Sequence, residues 1–160
     1  MNNYYLKNVP NKGRGLFANR DFKIGETIES SPVVIFTYQK GVSKSEQLIF
    51  INNVQTLVKT EIHRENIPIE VHNIVFNWSF LTKNGKKESC IALGYGSLFN
   101  SANPANMEYV ADEKNMLLNF ISTRDIKKDE ELTVNYSGVN GSNLSVGNNW
   151  FDSRNIEFKE

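Results

Sequence analysis

Short apolar runs separated by turn-forming residues dominate the chain, and long stretches of helical spacing are scarce. The segment GLFANRDFKIGETIESSPVVIF, residues 15–36, reads as strand, turn, strand. Lys23-Ile24-Gly25-Glu26 supplies the turn. Thr27, Ile28, Val33, Val34, Ile35 and Phe36 supply the β-branched and aromatic side chains that fit a pleated, half-buried surface. Residues 70–96 predict two strands joined by a hairpin at Asn84-Gly85, a pair that accepts the positive φ of a tight turn. Residues 107–126 predict a second hairpin, turning at Asp112-Glu113-Lys114-Asn115. Near the C-terminus Leu132, Val134 and Tyr136 alternate with Glu131, Thr133 and Asn135. That period of two is a strand with one apolar face, and it puts Tyr136 on the apolar side.

One segment departs from this rhythm. In residues 44–61, Leu48, Ile51, Val54, Leu57 and Val58 recur at spacings of three and four, which suits a helix, although Asn52 and Asn53 weaken the pattern. Residues 137–149, SGVNGSNLSVGNN, read as a flexible loop rich in Gly, Ser and Asn, followed by an amphipathic end, WFDSRNIEF. No internal repeat is apparent, and no linker interrupts the chain before that tail. The pattern predicts one mainly β domain of many short strands.

Composition narrows the function classes. The 160 residues fit one domain with a real core. Lys plus Arg equals Asp plus Glu, 18 each, so no global basic field exists to hold a polyanion, and direct nucleic-acid binding is not expected. The single cysteine, Cys90, can form neither an internal disulfide nor the usual four-ligand zinc site, and reads as a small buried strand residue. His63 and His72 stand nine residues apart, a spacing that matches no metal motif. The N-terminus lacks an apolar signal region and no run is long enough to span a bilayer, so an intracellular, soluble protein without membrane attachment is expected.

Three blocks carry the chemistry. The first is Lys12-Gly13-Arg14-Gly15-Leu16-Phe17-Ala18, followed by Asp21, Ile24, Gly25 and Glu26. The second is Ala92-Leu93-Gly94-Tyr95-Gly96-Ser97-Leu98-Phe99-Asn100, running on to Asn106. The third is Arg124-Asp125-Ile126 with Asp129-Glu130-Glu131-Leu132-Thr133-Val134-Asn135-Tyr136. Each alone is weak. In this order they resemble the SET domain of protein-lysine methyltransferases, above all the minimal SET proteins of bacteria and large viruses, over residues 4–158.

The resemblance implies a SET fold, with small curved sheets around a knot-like C-terminal core. It implies a single domain over residues 1–160, with a variable insert at 37–72 forming one wall of the peptide groove and a closing tail at 137–160. It also implies S-adenosylmethionine as cofactor and, as partner, a histone or other protein substrate carrying the target lysine. It allows a homodimer, and it allows a degenerate SET-like module that binds protein without turnover.

Transfer from a sulfonium to an amine needs no metal, because the electrophile is already activated. It needs in-line geometry and a neutral amine. Free lysine titrates near ~10.4, and an apolar channel beside a sulfonium lowers that value. By the resemblance Tyr136 is the catalytic residue, orienting the amine. Gly13, Arg14, Gly15, Asn100, Ser101 and Trp150 contact the cofactor, and Tyr95 lines the substrate channel. Ser101 stands where the family has histidine, Ala102 where it has serine, Asp129 where it has glycine and Asn135 where it has aspartate.

Overall fold

A computed structural model describes residues 2–37, 75–76, 78 and 88–143. Nine strands follow in chain order: β1 (Tyr4–Val9), β2 (Gly13–Ala18), β3 (Thr27–Thr37), β4 (Val75–Phe76), β5 (Glu88–Ala92), β6 (Asn100–Ser101), β7 (Met107–Asp112), β8 (Leu117–Ser122) and β9 (Thr133–Val134). They form three sheets. β1 and β2 make an antiparallel hairpin, β4-β5-β3-β8-β7 make a five-stranded sheet, and β6 and β9 pair in parallel. The mainly β expectation holds, and the strands are as short as the turn signals implied.

The central sheet is built on β3, which has two partners in succession. Residues 27–32 pair with β8 and residues 33–37 with β5. A register shift between Thr27 and Glu29 bends the strand, as a bulge does. β8 alternates strictly, burying Leu118, Phe120 and Ser122. Phe120 is the hub of the core. Its ring lies 4.7 Å from Phe99, 6.0 Å from Tyr109 and 6.1 Å from Phe76, centroid to centroid. Leu16, Phe22, Met107, Ile126, Leu132 and Val134 complete a single contiguous apolar cluster. The hairpin between β7 and β8 turns where expected, with Asp112 accepting from the backbone and side-chain nitrogens of Asn115 at 3.1 and 2.7 Å. The helical stripe at 44–61, the Asn84-Gly85 turn and most of the 37–72 insert lie outside the described residues.

Two sequence expectations need correction. The alternation at 131–136 does not separate a buried face from an exposed one: Thr133 is 6% and Asn135 2% exposed, alongside Leu132 and Val134. The segment is covered on both sides, because β6 pairs along one edge and β2 runs along the residues just before it. Residues 137–143 are a docked turn rather than a loose loop. Val139–Gly141 forms a 3-10 turn, the Asn135 N–H donates to Gly141 O at 2.8 Å, and Asn143 exchanges hydrogen bonds with the backbone of Ala105. The chain after β9 therefore returns against the loop that follows β6, the arrangement a knot-like core requires.

Two short turns of similar sequence face each other across the chain. Arg20-Asp21-Phe22-Lys23 and Arg124-Asp125-Ile126-Lys127 form matching turns that bond to each other reciprocally. Phe22 and Ile126 exchange backbone hydrogen bonds at 2.8 and 3.0 Å. Asp125 accepts from Lys23 Nζ (2.8 Å) and Ile24 N (3.0 Å), while Asp21 accepts from Lys127 Nζ and Lys128 N (both 2.9 Å). Within each turn an arginine pairs with a glutamate six residues on, Arg20 with Glu26 and Arg124 with Glu130. Only four of the seven positions match, Arg, Asp, Lys and Glu, a likeness too slight to make a repeat along the chain. It becomes visible only because the two copies face each other.

Candidate functional site

Backbone pairing draws the three sequence blocks together. Leu132 N donates to Leu16 O at 2.7 Å and Ala18 N to Glu130 O at 2.8 Å, so residues 130–132 run beside β2. One step later Thr133 and Val134 pair with Asn100 and Ser101. The third block is thus a strap between the first and the second. Asn106 locks it. The buried amide donates to Glu131 O at 2.8 Å and accepts from Thr133 N at 2.9 Å, using both ends of a group that can donate and accept.

Side chains converge on the same spot. The Asn100 amide donates to Glu131 Oε1 at 2.8 Å. Gly15 packs against that pair so tightly that a Cβ there would lie 2.5 Å from Glu131 Oε1 and 2.8 Å from Asn100 Nδ2. Gly13, at φ +77°, has nothing within 4 Å of where its Cβ would stand, which leaves the turn's backbone open. Arg14 between them is exposed. Lys12 reaches over the turn and donates to Ser101 O at 3.4 Å. Ser101 is 8% exposed and its hydroxyl accepts the Tyr136 N–H at 3.2 Å.

Tyr136 is half-buried, and its hydroxyl donates to Phe99 O at 2.8 Å. Burial, and then the charge of Glu131, holds its phenol well above the ordinary value, so it is neutral at physiological pH. Its one hydroxyl proton is committed to that carbonyl. A second tyrosine, Tyr109, lies edge-on to Phe76 at 5.0 Å and against Gly141. Burial, with a contribution from Cys90, raises its phenol to about 12. Cys90 is fully buried on β5, as read from the sequence, and desolvation raises its thiol to about 12, which leaves no thiolate for nucleophilic chemistry near neutrality.

Tyr95 sits in the 3-10 turn Gly94–Ser97, 43% exposed, with its ring edge-on to Tyr4 at 5.0 Å. It lines a cleft of about 460 Å³ together with Asn3, Tyr4, Thr27, Glu29 and Ser30. The structure therefore brings Gly13, Gly15, Asn100, Ser101 and Tyr136 into one neighbourhood and sets Tyr95 in a cleft beside β3. Trp150, Phe151 and Arg154 lie outside the described residues. Reading the sequence missed Lys12, Glu131, Tyr109 and Glu29 as members of these surfaces. Glu131 carried a signal: a carboxylate placed directly before the fully buried Leu132 needs a reason to be there. Among the described residues no three His, Cys, Asp or Glu side chains gather as a metal site would require. No helix among them is long and apolar enough to cross a membrane.

Comparison with known proteins agrees with this architecture. The chain is 28% identical over 131 residues to a histone-lysine N-methyltransferase of Schizosaccharomyces pombe specific for H3 lysine-37, covering 82% of this chain and 71% of that protein. A solved structure from Plasmodium falciparum, provisionally classed as a histone methyltransferase, superposes with a TM-score of 0.51 at 21% identity, covering 85% of this chain and 94% of the other. The family model of the SET domain matches residues 13–137, which include all three blocks. The chain belongs to the SET-domain family.

Proposed function

We propose that the protein is an S-adenosylmethionine-dependent protein-lysine N-methyltransferase acting on a histone or another protein. Tyr136 is its catalytic residue, and residues 1–160 form a single domain with a substrate-groove wall at 37–72 and a closing tail at 137–160. The observation that carries this reading is the packing of Gly15, Asn100 and Glu131 into one contact, with the Tyr136 hydroxyl tied to Phe99 immediately beside it.

The residues present fit the cofactor. The amino-acid end of S-adenosylmethionine carries an ammonium and a carboxylate. The Lys12 ammonium and the open backbone at Gly13 suit the carboxylate. Asn100, whose amide nitrogen is already committed to Glu131, presents its carbonyl oxygen as an acceptor for the ammonium. Gly13, Arg14, Gly15, Asn100, Ser101 and Trp150 hold the cofactor, which supplies a methyl group on a positively charged sulfur. The Tyr136 hydroxyl oxygen accepts an N–H of the incoming lysine. The hydroxyl keeps its proton, donated to Phe99 O, so Tyr136 orients the amine and does not deprotonate it. Tyr95 lies on the substrate side.

Calorimetric titration with S-adenosylmethionine, paired with transfer of labelled methyl into a mixed protein lysate, tests the reading. About one site per chain and labelled lysine support it, while silence in both overturns it. A second reading, a degenerate module that binds protein without turnover, is favoured by one observation: Ser101 stands where the family has histidine, and its hydroxyl has become an acceptor for Tyr136 N–H. Heat on binding protein substrate, with none on adding cofactor, selects that alternative.

A further inference from the structure

The cleft beside Tyr95 has its own chemistry. Its volume, about 460 Å³, lies within the ~300–1,000 Å³ range of small-ligand sites. The Glu29 carboxylate lies at its side, held on both oxygens: the Tyr4 hydroxyl donates to one and the Ser31 hydroxyl to the other at 2.8 Å. Ser31 in turn accepts the Gly96 N–H at 3.0 Å, which ties the carboxylate to the turn that carries Tyr95. Each carboxylate oxygen keeps a free lone pair, because a carboxylate accepts about four hydrogen bonds. The four ion pairs among the described residues use Glu26, Asp125, Glu130 and Asp21, and none uses Glu29. Tyr4 and Tyr95 meet edge to face, presenting π-surface to the same space. Burial and the neighbouring carboxylate push the Tyr4 phenol far above its ordinary value, so it adds no negative charge of its own.

A fixed carboxylate with no cation paired to it among the described residues, flanked by two aromatic rings in an open cleft, is complementary to a guanidinium or an ammonium. We propose that this cleft is a subsite for a basic side chain, arginine or lysine, on the polypeptide that the protein modifies. The subsite rests on the methyltransferase reading only for the origin of the cation. Glu29 and Ser31 share a face of β3, and the Ser31–Gly96 bond anchors the turn that leads into Phe99 and Asn100. The cleft and the candidate active site are therefore linked by one short run of chain, from Tyr95 to Asn100.

The test uses the full chain without cofactor and compares Nα-acetyl-arginine amide with its neutral isostere Nα-acetyl-citrulline amide, followed by amide chemical shifts in NMR. Arginine should bind roughly tenfold tighter than citrulline, with shifts confined to Asn3, Tyr4, Glu29 and Tyr95. Glu29→Gln, which keeps one acceptor oxygen and sets its NH2 to donate to the oxygen of the other hydroxyl, should erase the difference. Tyr95→Ala, a change at an exposed ring that leaves the core untouched, should weaken arginine several-fold. Equal binding of the two probes, or a Glu29→Gln variant that still discriminates, overturns the subsite. Methyl transfer is then measured on lysine peptides bearing arginine or citrulline at each flanking position. Preference for arginine at a defined position supports the polypeptide origin of the cation, and indifference at every position overturns it. Absence of transfer to any peptide would instead sink the methyltransferase reading and leave the arginine–citrulline difference standing.

Discussion

The side-chain amide of Asn100 and the carboxylate of Glu131 meet at 2.8 Å, although the two residues are 31 positions apart, and the Cα of Gly15 closes on both. Space at Gly15 is therefore used up, whereas at Gly13 it is open and only the backbone, at φ +77°, asks for glycine. The two glycines should respond differently to the same change. Gly15→Ala forces a Cβ into contact at 2.5 Å with Glu131 and 2.8 Å with Val9, and should cost about 1–3 kcal/mol while breaking the Asn100–Glu131 pair. Gly13→Ala should cost about 1 kcal/mol through backbone strain alone. Urea denaturation of both variants gives the two costs, and cofactor titration should show the larger loss for Gly15→Ala. Equal behaviour would mean that the pair is not held by packing.

Tyr136→Phe removes the hydroxyl that donates to Phe99 O and should lower stability by about 1 kcal/mol, leaving the fold intact. If Tyr136 orients the amine, methyl transfer should fall by far more than cofactor affinity does. Because burial holds the phenol above its ordinary value near ~10, the wild-type rate should show no inflection from Tyr136 between pH 7 and 9. Any rise over that range reports loss of the proton from the substrate amine. A rate that follows a group missing from the Phe variant would assign Tyr136 a proton-transfer role instead.

The facing turns make an acid-sensitive joint. Asp21 is held below the ordinary carboxylate range by Lys127 and the Lys128 N–H, Asp125 by Lys23 and the Ile24 N–H, and Glu130 by Arg124. A carboxylate whose folded pKa is depressed contributes stability that is complete above its unfolded value, ~3.9–4.3, and is lost as pH falls through the folded value. Lys127 is raised by Asp21, so its share is present below its unfolded value near ~10.4 and lost as pH climbs past the folded one. The denaturation midpoint should be level from about pH 6 to 8 and fall below about pH 4. The double variant Asp21→Asn, Asp125→Asn should be less stable at pH 7 and lose less on acidification. An unchanged acid slope in that variant would place the sensitivity elsewhere.

Fold class and the neighbourhood of the three blocks were legible because both rest on local signals. Period-two runs predict strands, and Gly13, Gly25 and the Asp112–Asn115 segment mark turns that the chain does make. Pairings across long separations were not legible. Nothing local says that Asp21 will meet Lys127, or that Asn106 will clamp a strand 27 residues away. The burial of Thr133 and Asn135 was misread for the same reason, since alternation reports one covered face and cannot report that Asn106 and the turn at 137–141 bond to the residues of the other. Tyr95 shows the limit from the side of function. Its place in a motif implied a channel wall, while its orientation toward Tyr4 and Glu29 depends on the N-terminal strand, which the motif does not contain.

Ser101 offers the sharpest test of how the site has adapted. A histidine at this position would be expected to improve cofactor binding if the serine left an empty pocket. The surroundings argue otherwise. Ser101 is 8% exposed, its hydroxyl accepts the Tyr136 N–H at 3.2 Å, and its own carbonyl accepts from Lys12. An imidazole ring is far larger than a hydroxyl and would have to displace Tyr136 or Lys12 to fit, a change of the kind that costs about 1–3 kcal/mol in packed interiors. Ser101→His should therefore lower the denaturation midpoint and weaken S-adenosylmethionine binding. Ser101→Ala, which nearly keeps the volume and removes the hydroxyl, should cost about 1 kcal/mol through loss of the hydrogen bond from Tyr136 N–H. Tighter cofactor binding in the histidine variant would show that the space around Ser101 opens in solution and that the serine is a lost ligand rather than a rebuilt one.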